Sequence, residues 1–219
     1  VGATLEALAA GVAGSSRWTV AEVAELRAAA RAPFRADEAW GPAAITEVAR
    51  RVLPRDTIAT TDAGAHRILF SQLWDAYAPR TLLQSNGLCT MGGAVPLALG
   101  AKLAEPKRPA VAFLGDGGLL MGLGELATAA ELGLAVIVVV FVDRSLALIE
   151  KKQREVQLPK AGVDLGGVDL AAAATALGGH GVTVRDRTGL EAALTDALAA
   201  DRFTVVACEI DERAYDGRI

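Results

Sequence analysis

The stretch PAVAFLGDGGLLMGLGELATAAELGLAVIVVVFVDRS, Pro109 to Ser145, decides the fold. An apolar run ends at Leu114, and Gly115-Asp116-Gly117-Gly118 turns the chain sharply. A helical period then leads to a second apolar run, which closes at Val142 with Asp143 directly behind it. A run such as AVIVVVFV has no polar alternation, which marks a strand covered on both faces, as in a parallel sheet. A right-handed βαβ unit brings both strand ends to one edge. The sequence therefore predicts Asp116 and Asp143 close together, at the edge where α/β sheets bind ligands.

The same pattern extends on both sides. Strands are expected at Thr57 to Thr60, Thr81 to Leu83, Ala110 to Leu114, Val136 to Val142, Val182 to Val184 and Thr204 to Cys208. Helices are expected at Pro42 to Val52, Gly93 to Leu103, Gly124 to Leu132, Leu170 to Leu177 and Leu190 to Ala200. Alternation of this kind predicts a doubly wound α/β domain: a mainly parallel six-stranded sheet with helices on both faces. Residues 1–39 are Ala-rich and carry one expected helix, Val20 to Arg31, which Thr19 can cap. They read as a linker or the tail of a preceding domain, with residues 40–219 as the main body, and Pro33 marks the break. The missing initiator Met points to a processed chain or a piece of a longer one.

Composition narrows the chemistry. The 219 residues are 52% hydrophobic and 22% charged, which excludes disordered and collagenous classes. A formal net charge of -4, without long runs of either sign, argues against nucleic-acid and anionic-membrane partners. The longest apolar run, Leu132 to Val142, is shorter than the ~18 residues that mark a membrane span. Only Cys89, Cys208, His66 and His180 supply thiol or imidazole, so no disulfide framework or histidine-rich metal site is expected and any metal must be held mainly by oxygen. A cytoplasmic location fits that cysteine usage.

Glycines at 115, 117 and 118 let backbone approach a ligand and offer N–H groups to an anion. Two carboxylates beside a phosphate would repel it unless a divalent cation lies between them. The pair with its glycines thus reads as a magnesium-bridged diphosphate site, although either Asp alone reads equally well as a turn or strand-end residue. No P-loop and no G-x-S-x-G occurs. A G-x-G-x-x-A at Gly122, Gly124 and Ala127 does not directly follow a strand, so a dinucleotide-dependent oxidoreductase is the weaker reading.

GDGG followed at this spacing by VDRS resembles the diphosphate and metal motif of thiamine diphosphate-dependent enzymes, in particular the acetolactate synthase and 2-oxo acid decarboxylase group. TDAGAHRILFSQLW, Thr61 to Trp74, and SNGLCTMGGAVPLALGAKLAEP, Ser85 to Pro106, resemble the same group in the same order. The resemblance implies that Asp116, Asp143 and the backbone carbonyl of Ser145 ligate magnesium. The family usually has Asn where this chain has Asp143, and a carboxylate is still a hard oxygen ligand. It also implies that Gly115, Gly117, Gly118 and the backbone at Leu146 and Ala147 bind the diphosphate, with Ala65 and His66 on its other side. Met91 would prop the cofactor into its bent form, and the Cys89 carbonyl would accept from its aminopyrimidine. Leu148, Ile149 and Gln153 would lie near a 2-oxo acid substrate.

Within that family a Glu in a separate pyrimidine-binding domain activates the cofactor, often across a dimer interface, and nothing in this sequence resembles that domain. The chain therefore reads as incomplete, with no catalytic residue of its own and an expected homo-oligomer in the intact enzyme. The alternatives are a subunit of a split 2-oxo acid decarboxylase and a non-catalytic cofactor-binding module.

Overall fold

The computed structural model describes residues 2–11, 17–34 and 38–219. The chain divides into two compact units, Val1–Pro33 and Phe34–Ile219. The first carries helices α1 (Gly2–Gly11) and α2 (Val20–Arg31), neither with a buried residue. Thr19 caps α2 as its sequence predicts: the Glu22 N–H donates to its hydroxyl at 3.2 Å and the Glu22 carboxylate accepts from the Thr19 N–H at 2.8 Å. Helix α1 was not expected, because its Ala-rich sequence has no distinct apolar stripe.

The second unit runs α3 (Pro42–Val52), β1 (Ile58–Thr61), α4 (Ala65–Leu73), β2 (Leu82–Gln84), α5 (Ala94–Ala104), β3 (Ala110–Gly115), α6 (Asp116–Met121), α7 (Glu125–Glu131), β4 (Ile137–Val142), α8 (Ala147–Glu155), α9 (Leu170–Ala176), β5 (His180–Val184), α10 (Arg187–Ala199) and β6 (Thr204–Glu209). The strands form one six-stranded sheet in the order β2-β1-β3-β4-β6-β5, with every pair parallel.

Alternate residues of each central strand feed opposite cores. Ala112, Leu114, Val138, Val140 and Val205 pack with α5, α7 and α9 on one face. Val111, Phe113, Val139, Phe141 and Val206 pack with α3, α4 and α10 on the other. This is why the strands are apolar throughout: no β4 residue reaches solvent on either side. Each large side chain so buried contributes about 1.5–3 kcal/mol.

Two local expectations change. The GDGG segment is not a sharp turn, since Asp116 opens helix α6 directly after β3. Helix α10 starts at Arg187, not Leu190, because the Asp186 carboxylate accepts from the Gly189 N–H at 2.7 Å and stabilises an earlier first turn.

The chain moves outward from β1 to β2 and then returns to place β3 on β1's other side, making a switch point between β1 and β3. Register pairs Gly115 with Phe141, so the segments after β3 and β4 leave the same edge together. No helix among the described residues is long and apolar enough to cross a membrane.

Candidate functional site

A cleft opens at this edge. The carboxylates after β3 and β4 both line it, as the βαβ argument requires. Asp116 is buried; its Oδ1 accepts from the Gly117 N–H at 2.8 Å and its Oδ2 from the Arg144 N–H at 2.7 Å. Arg144 has φ +57°, a left-handed turn, and sends its guanidinium away to Glu209 at 3.2 Å. Asp143 Oδ1 accepts from the Ser145 N–H at 3.0 Å. Backbone bonds hold this loop to a second segment: Leu146 N–H to Val163 O at 2.8 Å, and Leu165 N–H to Arg144 O at 2.9 Å.

Electrostatics make the site anionic and costly without a counter-charge. Burial raises the Asp116 carboxyl above its usual range. Asp143 is pushed up to about 8, first by burial and then by the charge on Asp116. The buried Tyr215 hydroxyl is raised well above its ordinary value, by burial and then by the same two carboxylates. Hard oxygen donors crowded in this way suit a divalent cation such as magnesium. Among the described residues no group of three or more His, Cys, Asp or Glu gathers, so a metal held here would need further ligands from backbone carbonyls, water or a bound anion.

Other expected residues converge on the same cleft: Ala65 and His66 at the start of α4, Met91, Gly115, Gly117 and Gly118 along β3–α6, and Ser145, Leu146 and Ala147 at the start of α8. The glycines are closely packed. A methyl at Gly117 would lie 2.9 Å from Leu146 Cδ2 and 3.2 Å from Met91 Cε. The Leu146 N–H, engaged by Val163, is already taken, which leaves Ala147 as the residue whose amide opens α8. Leu148 and Ile149 also line the cleft.

Cys89 and Gln153 do not. Cys89 sits at φ +51° with its thiol on the Ser85 carbonyl at 3.2 Å, and Gln153 lies in a separate surface groove, bonded to Ala161. Sequence reasoning missed Asp62 and Tyr215. Asp62 lies in the TDAGAH stretch directly after β1, and a carboxylate at the end of a strand is a readable signal. Tyr215, far along the chain, offered none.

A family model described as "Thiamine pyrophosphate enzyme, C-terminal TPP binding domain" matches residues 62–208. The chain is 32% identical over 172 residues to the catabolic acetolactate synthase of Raoultella terrigena, covering 78% of this chain and 31% of that protein. It is 30% identical over 180 residues to the acetolactate synthase of Bacillus subtilis (strain 168), covering 82% and 31%. Among solved structures, benzoylformate decarboxylase from Polynucleobacter necessarius superposes with a TM-score of 0.73 at 25% identity, over 82% of this chain and 35% of that one. The thiamine diphosphate-dependent 4-hydroxybenzoylformate decarboxylase of Rhodococcus jostii RHA1 shares the fold, with a TM-score of 0.74 at 22% identity. The chain spans about a third of the length of these relatives. Its match across most of the α/β unit shows that the chain belongs to the thiamine pyrophosphate enzyme family, as a C-terminal TPP-binding domain.

Proposed function

We propose that this chain binds the diphosphate end of thiamine diphosphate through magnesium, as part of an acetolactate synthase-like or 2-oxo acid decarboxylase-like enzyme. One observation carries the reading: Asp116 and Asp143 share a cleft in which Asp143 is driven up to about 8, a charge arrangement that a bridging divalent cation relieves. Asp116, Asp143 and the Ser145 carbonyl would hold the metal. Gly117 and Gly118 line the cleft with bare backbone that a diphosphate can approach, and Ala65, His66 and Ala147 border the same space.

When bound, thiamine diphosphate supplies a nucleophilic carbon and an electron sink for breaking or making a C–C bond beside a 2-oxo group. This chain's residues bind, orient and exclude water. Met91 and Leu146 supply apolar wall around the glycines, and Leu148 and Ile149 extend that wall where a small 2-oxo acid would enter. The group that activates the pyrimidine ring is assigned to a pyrimidine-binding domain outside these residues, and the working enzyme to an oligomer that brings the two together. The relatives' threefold greater length supports this assignment.

Titration calorimetry of the chain with thiamine diphosphate, with and without magnesium, tests the proposal. Magnesium-dependent binding is expected, with loss of at least about a hundredfold in Asp116→Ala, since a charged ligand contact is removed. Binding that ignores magnesium, or that survives Asp116→Ala unchanged, overturns the assignment.

A further inference from the structure

Asp62 follows β1 and is 3% exposed, while His66, one helical turn later in α4, is 4% exposed. His66 Nε2 lies 3.1 Å from Asp62 Oδ1. The two atoms lie within ion-pair distance without meeting hydrogen-bond geometry, and neither has a hydrogen-bond partner elsewhere. Only one protonation pattern is comfortable there. A proton on Nε2 faces a carboxylate and is attracted, whereas a lone pair on Nε2 would face the carboxylate's own lone pairs in a buried setting. The imidazole is fixed from other sides too, stacked on Phe141 at 5.6 Å between ring centres. Its Nδ1–Cε1 edge runs along Gly64 and Gly115, where added methyl groups would lie 2.7 Å and 3.5 Å from Nδ1. Those two glycines are walls of the cleft, so this edge is the one turned toward it.

The second carboxylate oxygen does different work. Asp62 Oδ2 accepts from the Gly92 N–H at 2.7 Å, beside Met91, and occupies the space that a side chain at Gly118 would need. Gly92 has φ +80°, a conformation glycine adopts at little cost, so the Met91 loop is turned back onto this carboxylate. One buried side chain thus joins the end of β1, the Met91–Gly92 loop, α6 and the imidazole.

We propose that Asp62 is a positioning residue of the cofactor site: Oδ1 holds His66 with Nε2 protonated and Nδ1 toward the cleft, and Oδ2 holds the Met91–Gly92 loop against α6. The part concerning affinity rests on the thiamine diphosphate reading; the part concerning His66 does not.

The test uses ¹⁵N-labelled full chain and long-range ¹H–¹⁵N correlation of its imidazoles. The sequence has only His66 and His180, so His66→Gln assigns the spectrum. Wild-type His66 is expected to carry its proton on Nε2, and an unprotonated Nε2 overturns the proposal whether or not any variant folds. Asp62→Asn is expected to change the proton distribution on the ring and, in calorimetry with magnesium and thiamine diphosphate, to weaken binding about ten- to a hundredfold, in line with loss of a charge-assisted contact. A folded Asp62→Asn protein with wild-type affinity and an unchanged imidazole spectrum also overturns it. If the wild-type chain binds no thiamine diphosphate under any condition, the functional reading fails while the imidazole spectrum still decides the placement of His66.

Discussion

Replacing Asp143 with Asn should stabilise the metal-free chain at alkaline pH while leaving it nearly unaffected in acid. In the folded chain Asp143 is held up to about 8, against an ordinary value of 3.8, by burial and by Asp116. Between those two pH values the folded state keeps the proton that the unfolded state has lost. Stability therefore falls as pH rises across the window, by at most about 1.4 kcal/mol per pH unit. The full window sets a ceiling of about 6 kcal/mol, and side-chain relaxation with water entry lowers the realised effect to about 2 kcal/mol by pH 8.5. Asn keeps the oxygen that accepts from the Ser145 N–H at 3.0 Å, so the loop retains its bond while the charge penalty disappears. Urea unfolding at pH 4.5 and 8.5 in the presence of a chelator should show the variant within about 1 kcal/mol of wild type in acid and about 2 kcal/mol more stable in base. Magnesium and thiamine diphosphate binding near pH 7 should release about one proton more from the wild type than from the variant, read by calorimetry in buffers of different ionisation enthalpy. Parallel stability curves across this pH range would refute the reasoning, because they would mean that Asp143 is ionised in the folded, metal-free chain.

Gly118→Ala should cost about 2–3 kcal/mol in denaturant unfolding, since the new methyl falls on the Asp62 carboxylate that holds Gly92. Gly117→Ala should cost less, about 1 kcal/mol, because it meets side-chain ends of Leu146, Met91 and Leu165 and no backbone, yet it should weaken cofactor binding about tenfold by narrowing the cleft. An equal stability loss in the two variants would contradict this difference. On the far edge of the sheet, Gly181→Ala would drive a methyl into the Ala171 backbone of α9, where no rotamer change gives relief. A loss of about 3 kcal/mol or more is expected, with cofactor affinity of the remaining folded protein unchanged.

Much of the architecture is legible because its cause is local. The β4 run Ile137–Val142 is apolar at every position since both of its faces are covered, and that alone implies a parallel sheet with helices on each side. Helix α3 begins at Pro42 and ends at Val52 as its pattern indicates, with a strongly one-sided apolar stripe against the sheet. Helix α4 is different: AHRILFSQL has no capping side chain, and only packing of Leu69, Phe70 and Leu73 makes its apolar stripe decisive. At α6 the paired glycines of GDGG, poor helix formers, read as a turn, whereas burial of Asp116 through Leu119 stabilises a helix.

By itself the sequence determined the sheet, its parallel sense and the meeting of Asp116 with Asp143, because hydrophobic periodicity names the strands and chain handedness then brings two successive strand ends to one edge. The tertiary structure alone decided that Asp62 accepts from Gly92 with His66 beside it, that Val163 has already claimed the Leu146 amide, and that Tyr215 lines the same cleft as the two carboxylates. Those contacts depend on the paths of loops between distant segments. A local pattern records which face of an element is buried, and it carries no information about which distant loop arrives to cover it.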